Sequence, residues 1–249
     1  MENDELIRRV EDLAERCERS GTVTHTAFLT PAEQLSVSSW AERRFDCRIV
    51  FSGGHPDCER RAAFFLPFYM EEDGLPLADY IRAIGVTAGF GAPGHRDYMG
   101  AVLGLGVRRE WIGDIWVKDS TATVFCLPGV ERHILESLDK VGKFGVKTEK
   151  LPLEAIAAPE RIIRRITFSV KSMRLDAVSA GMFCLSRTKA AELITLGSAS
   201  LNYAQCFKCD APVKDGDVIS LRGFGKGTVH PEGTVSRKGR LFVTAEINK

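Results

Sequence analysis

The sequence predicts an α+β protein of several domains, and three observations lead there. Amphipathic helical patterns alternate with short β-rich runs along the 249 residues, one stretch reads in the order β-α-β-β-α-β, and the charge is unevenly divided. Residues 1–159 hold 19 Lys+Arg against 25 Asp+Glu, while residues 160–249 hold 15 against 8. The net charge of +1 therefore conceals an acidic body and a basic C-terminal part. Charge attraction is local, within a Debye length of about 10 Å, so a basic segment of this kind suits a polyanion. A chain that is 44% hydrophobic and 27% charged is of ordinary globular composition, which excludes a disordered or collagen-like chain. No apolar run approaches the roughly 20 residues of a membrane-spanning helix, and the charged N-terminus lacks the apolar stretch of an export signal, so a soluble cytoplasmic protein is expected. The cysteines (Cys17, Cys47, Cys58, Cys126, Cys184, Cys206, Cys209) are odd in number and scattered, which suits reduced, mostly buried thiols.

The elements follow in order. Leu6, Ile7, Val10, Leu13, Ala14 and Cys17 fall at three- and four-residue spacing, which predicts a helix over residues 2–19 ended by Gly21. Thr30, Pro31 and Glu33 make a capping box with proline at the first helical position, so a second helix runs to about Arg44. CRIVFSGG and RAAFFLPFYM read as two extended segments that pair, and the turn DGLP at 73–76 marks a boundary. Beyond it come strand 80–88, helix 95–106, strands 112–118 and 122–128 joined at Asp119-Ser120, helix 129–142 and strand 146–153. That is the split βαβ order of ferredoxin-like and RRM-like domains. Trp116 and Phe125 are the aromatics suited to base stacking on such a sheet, but the aromatic consensus of ordinary RRM domains is missing and no stacking is inferred. Residues 152–165 pass through two prolines into the basic part.

Several motifs bear on chemistry. GFGAPG at 89–94 matches a dinucleotide fingerprint with Asp114 twenty residues on, but Pro93 removes an N–H donor and the elements that follow are not repeated βαβ units. His95-Arg96-Asp97 copies the kinase catalytic triplet, yet Val102 stands where that loop needs asparagine. These residues read instead as a helix start, with Asp97 on the positive end of the dipole and His95 and Arg96 as secondary RNA contacts. Cys206 and Cys209 with His230 are too few donors for zinc. No catalytic arrangement, metal or cofactor is expected.

The strongest signal lies in the basic part. Arg174-Leu175-Asp176 opens a helix burying Val178, Met182 and Phe183. Ser186 caps a second helix that carries Arg187 and Lys189 in its first turn, turns Ala190, Leu193 and Ile194 inward, and ends at Gly197. Val213, the Asp215-Gly216 turn and Val218-Ile219 read as a hairpin. Arg222, Lys226, Arg237, Lys238 and Arg240 sit among glycines in RGFGKGTVHPEGTVSRKGR, where a flexible backbone lets cations follow a phosphate surface.

These residues resemble the RNA-binding domain of ribosomal protein S-four, the alpha-L motif. Arg174, Leu175, Asp176, Ser186, Arg187, Ala190, Leu193, Ile194, Gly197, Asn202 and Gly216-Asp217-Val218-Ile219 match its pattern over about residues 172–222. Ala199 and Ser200 depart from its usual Val-x-Val, and Tyr203 stands where glycine commonly follows the asparagine. HRDYMGA at 95–101, Ile112-Gly113-Asp114-Ile115, and the GG-x-x-x-x-ER segment of FSGGHPDCERRAAFF are similar to the bacterial YlmH family, nearly end to end. The resemblance implies an N-terminal α/β domain (1–76), a central RRM-like domain (77–158) and a C-terminal alpha-L domain with a basic extension (159–249). It implies a non-catalytic, monomeric protein on rRNA of the large ribosomal subunit, with peptidyl-tRNA as a further candidate partner, in rescue or quality control of stalled ribosomes. The RNA-binding residues expected are Arg174, Ser186, Arg187, Lys189, Asn202, Tyr203, Arg222, Lys226, Arg237, Lys238 and Arg240. An RNA-modifying enzyme of the pseudouridine-synthase kind and a general RNA-binding regulator are the alternatives.

Overall fold

The computed structural model describes residues 2–42, 44, 48–158, 163–235 and 239–248. They fall into two compact units, Met1–Pro159 and Glu160–Lys249. The protein is mixed α/β; among the described residues, helices pack with three antiparallel sheets.

In the first unit, α1 (Glu2–Ser20) buries Val10, Ala14 and Cys17 and stops at Gly21, whose φ of 62° suits glycine. A short strand β1 (Thr24–His25) precedes α2 (Pro31–Ala41). The capping box is present: the Glu33 N–H donates to Thr30 Oγ1 at 3.3 Å and the Thr30 N–H to Glu33 Oε2 at 2.6 Å. Strands β2 (Arg48–Ser52) and β3 (Ala62–Leu66) pair antiparallel, and the sheet order is β1-β3-β2. Every residue of β3 is buried because both its faces are covered. Ala63 and Phe65 pack on Val10, Ala14 and Val37 of the helices, while Phe64 and Leu66 join Phe28, Ile81, Ala83 and Phe125 on the other side. A continuous apolar run is what two-sided burial requires.

The turn at 73–76 contains a 3-10 turn, Glu72–Gly74, and leads through α3 (Leu77–Tyr80) into a five-stranded sheet. Its elements are β4 (Arg82–Ala88), α4 (His95–Gly104), β5 (Ile112–Lys118), β6 (Thr121–Cys126), α5 (Pro128–Ser137), β7 (Lys140–Val141) and β8 (Phe144–Leu151), in the strand order β5-β6-β4-β8-β7. Helices α4 and α5 cover one face through Tyr98, Val102, Val130 and Ile134, packed on Ile84, Val86, Ile115 and Val124. The opposite face presents Ala83 and Phe125 to β3, so the two sheets share a core. The approach is close enough that a Cβ on Gly54, at φ 98°, would lie 2.8 Å from Phe125 Cδ1. The two motifs singled out in sequence meet at this junction. Asp114 Oδ2 accepts from the Glu59 N–H at 2.6 Å and Oδ1 from the Arg60 N–H at 3.1 Å. Beside it Arg60 donates to Phe28 O (2.8 Å) and Arg109 to Ile112 O (2.6 Å). Burial, aided by the neighbouring Arg60 charge, lowers the Arg109 pKa to about 10, which leaves it protonated at neutral pH.

The second unit holds β9 (Ile163–Val170), α6 (Leu175–Met182), α7 (Arg187–Thr195), β10 (Ala199–Leu201), β11 (Ala204–Gln205), β12 (Val218–Leu221), β13 (Gly225–Val235) and β14 (Leu241–Asn248). Its strands form one sheet in the order β11-β10-β12-β13-β14-β9. Two expectations change here. Residues 163–165, expected in a connecting passage, begin the strand 163–170, which pairs with β14 over its whole length. Val213 is not a strand partner of Val218: it is buried, its N–H donates to Met173 O, and β12 pairs with β10 and β13. Alternation then sorts the sheet: Ile219, Leu221, Val229, Val243 and Ala245 face the core with α6 and α7. Phe183, expected in that core, is only partly buried at its edge.

The Asp114 contacts give a first prediction. Asp114→Ala removes two backbone hydrogen bonds to a charged acceptor and lowers stability by about 2–4 kcal/mol. Trp40, Trp111 and Trp116 all lie in the first unit, so urea unfolding followed by tryptophan fluorescence reads this unit within the full chain. An unchanged midpoint would refute the structural role.

Candidate nucleic-acid interface

Two helix starts meet at one carboxylate. Arg174, in extended conformation, precedes α6, and Ser186 precedes α7 with its Oγ accepting the Lys189 N–H at 3.1 Å. Arg174 donates through Nε and Nη2 to the two oxygens of Asp176, each at 3.2 Å. Arg187 donates to the same carboxylate, Nε to Oδ2 at 3.1 Å and Nη2 to Oδ2 at 3.0 Å. Both guanidinium groups thus turn the same edge toward Asp176 and direct Nη1 away from it. The Asp176 side chain is 7% exposed, against 41% and 56% for the arginines. Burial alone would raise the Asp176 pKa, but hydrogen bonds from Arg174, Arg187 and the Ala177 N–H outweigh it and hold the carboxyl below its ordinary value. Lys189 pairs with Glu192 at 3.0 Å on the next turn.

The CxxC segment lies against these helices. The carbonyls of Cys209 and Ala211 accept from the Asp176 and Leu175 N–H groups, so the segment caps α6. Cys206 and Cys209 are half-buried against the core. Among the described residues no group of three or more His, Cys, Asp or Glu side chains is placed to hold a metal ion.

A second group of expected residues surrounds the turn between β10 and β11. Asn202 and Tyr203 both have positive φ, 49° and 65°. Asn202 is committed to holding that turn: its Nδ2 donates to Asp217 Oδ1 at 2.8 Å and its Oδ1 accepts the Val218 N–H at 2.9 Å. Tyr203 then presents its ring to Lys226, whose Nζ lies 5.5 Å from the ring centroid. Gly227 faces α6, since a Cβ there would fall 2.4 Å from Met182 Cε, so Lys226 beside it faces the open side of the sheet. The expected residues therefore form two groups, Arg174, Ser186, Arg187 and Lys189 in the helix layer and Asn202, Tyr203 and Lys226 at the open face. Arg222 is exposed in the turn after β12, and Arg240 donates to Ser169 O at 2.6 Å. Arg237 and Lys238 lie outside the described residues.

In the first unit His95 and Arg96 are exposed at the start of α4, where Asp97 Oδ2 accepts the Gly94 N–H at 2.8 Å. Phe125 is fully buried, and Trp116 is held edge-on between Phe125 and His55, with centroids 4.9 and 5.0 Å apart. The role of Asp176 was missed in sequence, although an acid in the first turn of a helix beside an arginine was its signal.

The architecture is a mixed α/β protein with antiparallel sheets whose second unit displays arginines fixed on a buried acid. Residues 2–65 match the family described as "YlmH, N-terminal", and residues 81–155 the family described as "Putative RNA-binding domain in YlmH". The "Ribosome-associated protein quality control protein P2" of Bacillus subtilis (strain 168) is 30% identical over 226 residues, covering 90% of this chain and 87% of that protein. The solved "Cell division protein ylmH from Streptococcus pneumoniae" shares the fold at a TM-score of 0.53 and 19% identity, over 63% of this chain and 96% of that one. The chain belongs to the YlmH family. The RNA-binding description in that family falls on the central segment, while the sequence reading centred on the basic C-terminal part.

The Asp176 cluster makes a signed pH prediction. A depressed carboxyl pKa contributes stability that is complete above the unfolded value of about 3.9 and is lost as pH falls through the folded value. Protection factors of the α6 and α7 amides, exchange rates corrected for their intrinsic pH dependence, are expected to fall below about pH 4. Asp176→Asn lowers them already at neutral pH, by about 1–2 kcal/mol of lost hydrogen bonding, and flattens the acid response. Equal acid responses in the two proteins would place the sensitivity elsewhere.

Proposed function

We propose that this protein is a non-catalytic RNA-binding protein of the large ribosomal subunit. On this reading it contacts rRNA, with the tRNA of a stalled nascent chain as second contact, and acts in rescue or quality control of stalled ribosomes. The observation that carries the reading is the pair of arginines on Asp176. A guanidinium held by its Nε/Nη2 edge keeps a fixed direction, so a phosphate at Nη1 meets a donor already oriented. The name of the Bacillus subtilis relative supports the ribosomal context. The strand order of the central sheet supports an RRM-like domain there, and the Arg174–Gly197 helix pair supports an S-four-type domain in the second unit. Arg174, Ser186, Arg187 and Lys189 form the primary contact, Tyr203, Lys226 and Arg222 a second one positioned by Asn202. Arg240 extends the basic surface, and His95 and Arg96 contribute from the central segment. The protein works as a cytoplasmic monomer in this reading.

Co-sedimentation with purified large subunits across a salt series tests it. Phosphate neutralisation gives a log–log salt slope of about −0.9 per contact, so Arg187→Gln with Lys189→Gln shallows the slope by about 2 and weakens binding at every salt concentration. Asp176→Asn separates orientation from charge. It adds one net positive charge, yet weakens binding if the carboxylate acts by aligning the arginines. A double variant that sediments like the parent protein would overturn the proposal.

A further inference from the structure

The GFGAPG loop has a use unrelated to nucleotide phosphates. Gly89 ties the loop to β8, its N–H donating to Gly145 O at 3.1 Å. Gly91, at φ 74°, lies flat on Phe144, where a Cβ would come within 2.4 Å of the ring. Pro93 is buried. Held before and after, Phe90 stands 66% exposed, edge to face with Phe144 at a centroid distance of 5.4 Å and 75° between planes. Lys143 Nζ lies 5.4 Å from the Phe144 centroid. The β7–β8 hairpin carries Lys140 and Lys147 as further exposed cations, while Lys150 is engaged by Glu131. The loop leads directly into α4, whose first residues His95 and Arg96 are exposed.

An exposed aromatic ring packed on a second ring that carries the Lys143 ammonium offers a stacking platform with a cation close by. The sheet face on which this strand order would stack bases is closed at its aromatic end, because Phe125 is buried under Gly54 and Ile81 and Trp116 is wedged beside it. We propose that Phe90, backed by Phe144 with Lys143 over that second ring, stacks an unpaired RNA base in the central segment. This rests on the RNA-binding reading above and adds where and how the first unit takes part. An unpaired base offers its π-face, whereas a base inside a duplex is already stacked, so the site favours loops, bulges and single strands.

The test is fluorescence anisotropy of the full-length protein with a labelled unstructured 12-nucleotide RNA and with a blunt duplex of the same length. Phe90→Ala is expected to weaken single-strand binding by about 10-fold, the scale of one stacked base, and to leave duplex binding unchanged. Phe90→Trp restores single-strand affinity. Phe90 is largely exposed, so neither variant removes a core contact, and circular dichroism checks the fold. Photo-crosslinking of 4-thiouridine RNA is expected to label the peptide containing Phe90. Single-strand affinity unchanged in Phe90→Ala, but reduced by Arg187→Gln with Lys189→Gln, overturns this site and leaves the broader reading standing. A parent protein that binds neither RNA overturns both. Loss of ribosome co-sedimentation with unaltered affinity for the 12-nucleotide RNA makes the loop a protein contact and overturns the proposal.

Discussion

One buried carboxylate, Asp176, sets the geometry of the basic surface. Taken alone, a carboxylate at 7% exposure would be destabilising, and the two guanidinium groups bound to it reverse that sign. The bonds run from the residue before α6 and the first residue of α7 to the same acid, so they fix how the two helices begin relative to each other. The carbonyls of Cys209 and Ala211 add a third segment to the same helix start. Helix placement, loop path and the direction of two cations therefore depend on a single ionised side chain.

The first unit is organised by a different constraint, the two-sided burial of β3. Its residues alternate between a helix-covered core and the central sheet, so the N-terminal sheet cannot leave without exposing Phe64 and Phe125 together. That arrangement closes the end of the central sheet where Trp116 and Phe125 stand. Phe90, exposed beyond the end of β4, instead stands at a rim, packed on Phe144, whose ring carries Lys143.

What the sequence made legible was mostly local. The Thr30 and Ser186 caps join atoms three residues apart, and the alternation within β4 to β6 follows from which faces are covered. Strand β9 carries a clear two-residue alternation at Ile166, Phe168 and Val170, but its partner β14 lies some 75 residues further on and the prolines before it suggested a passage. Val213 resembled a strand residue because Asp215-Gly216 looks like a hairpin turn, yet its N–H found Met173 O across the unit. The Asp114 contacts join residues 54 and 55 positions apart, and Lys226 reaches Tyr203 from a separate strand. Nothing in a local pattern specifies such pairs. The site residues themselves were legible as residue types, while their division between helix layer and open face required the sheet's register.

The charge count of the C-terminal unit also needs the structure to acquire meaning. A surplus of basic residues suggests bare cations, yet Arg165 pairs with Glu246, Arg174 and Arg187 share Asp176, and Lys189 pairs with Glu192. On the proposed reading, an incoming phosphate would therefore meet cations that already have partners. Lysine is a point charge on a flexible stem, so Lys189 can exchange Glu192 for a phosphate at little geometric consequence. The arginines differ, because their Nε/Nη2 edges are held on Asp176, and on the proposed reading Nη1 would engage a second anion without releasing that partner. Two arginines on one acid carry a net charge of one, weaker in attraction than two free cations but fixed in direction. On the proposed RNA-binding reading, such a site would select for the spacing of phosphates on a folded RNA more than for their number.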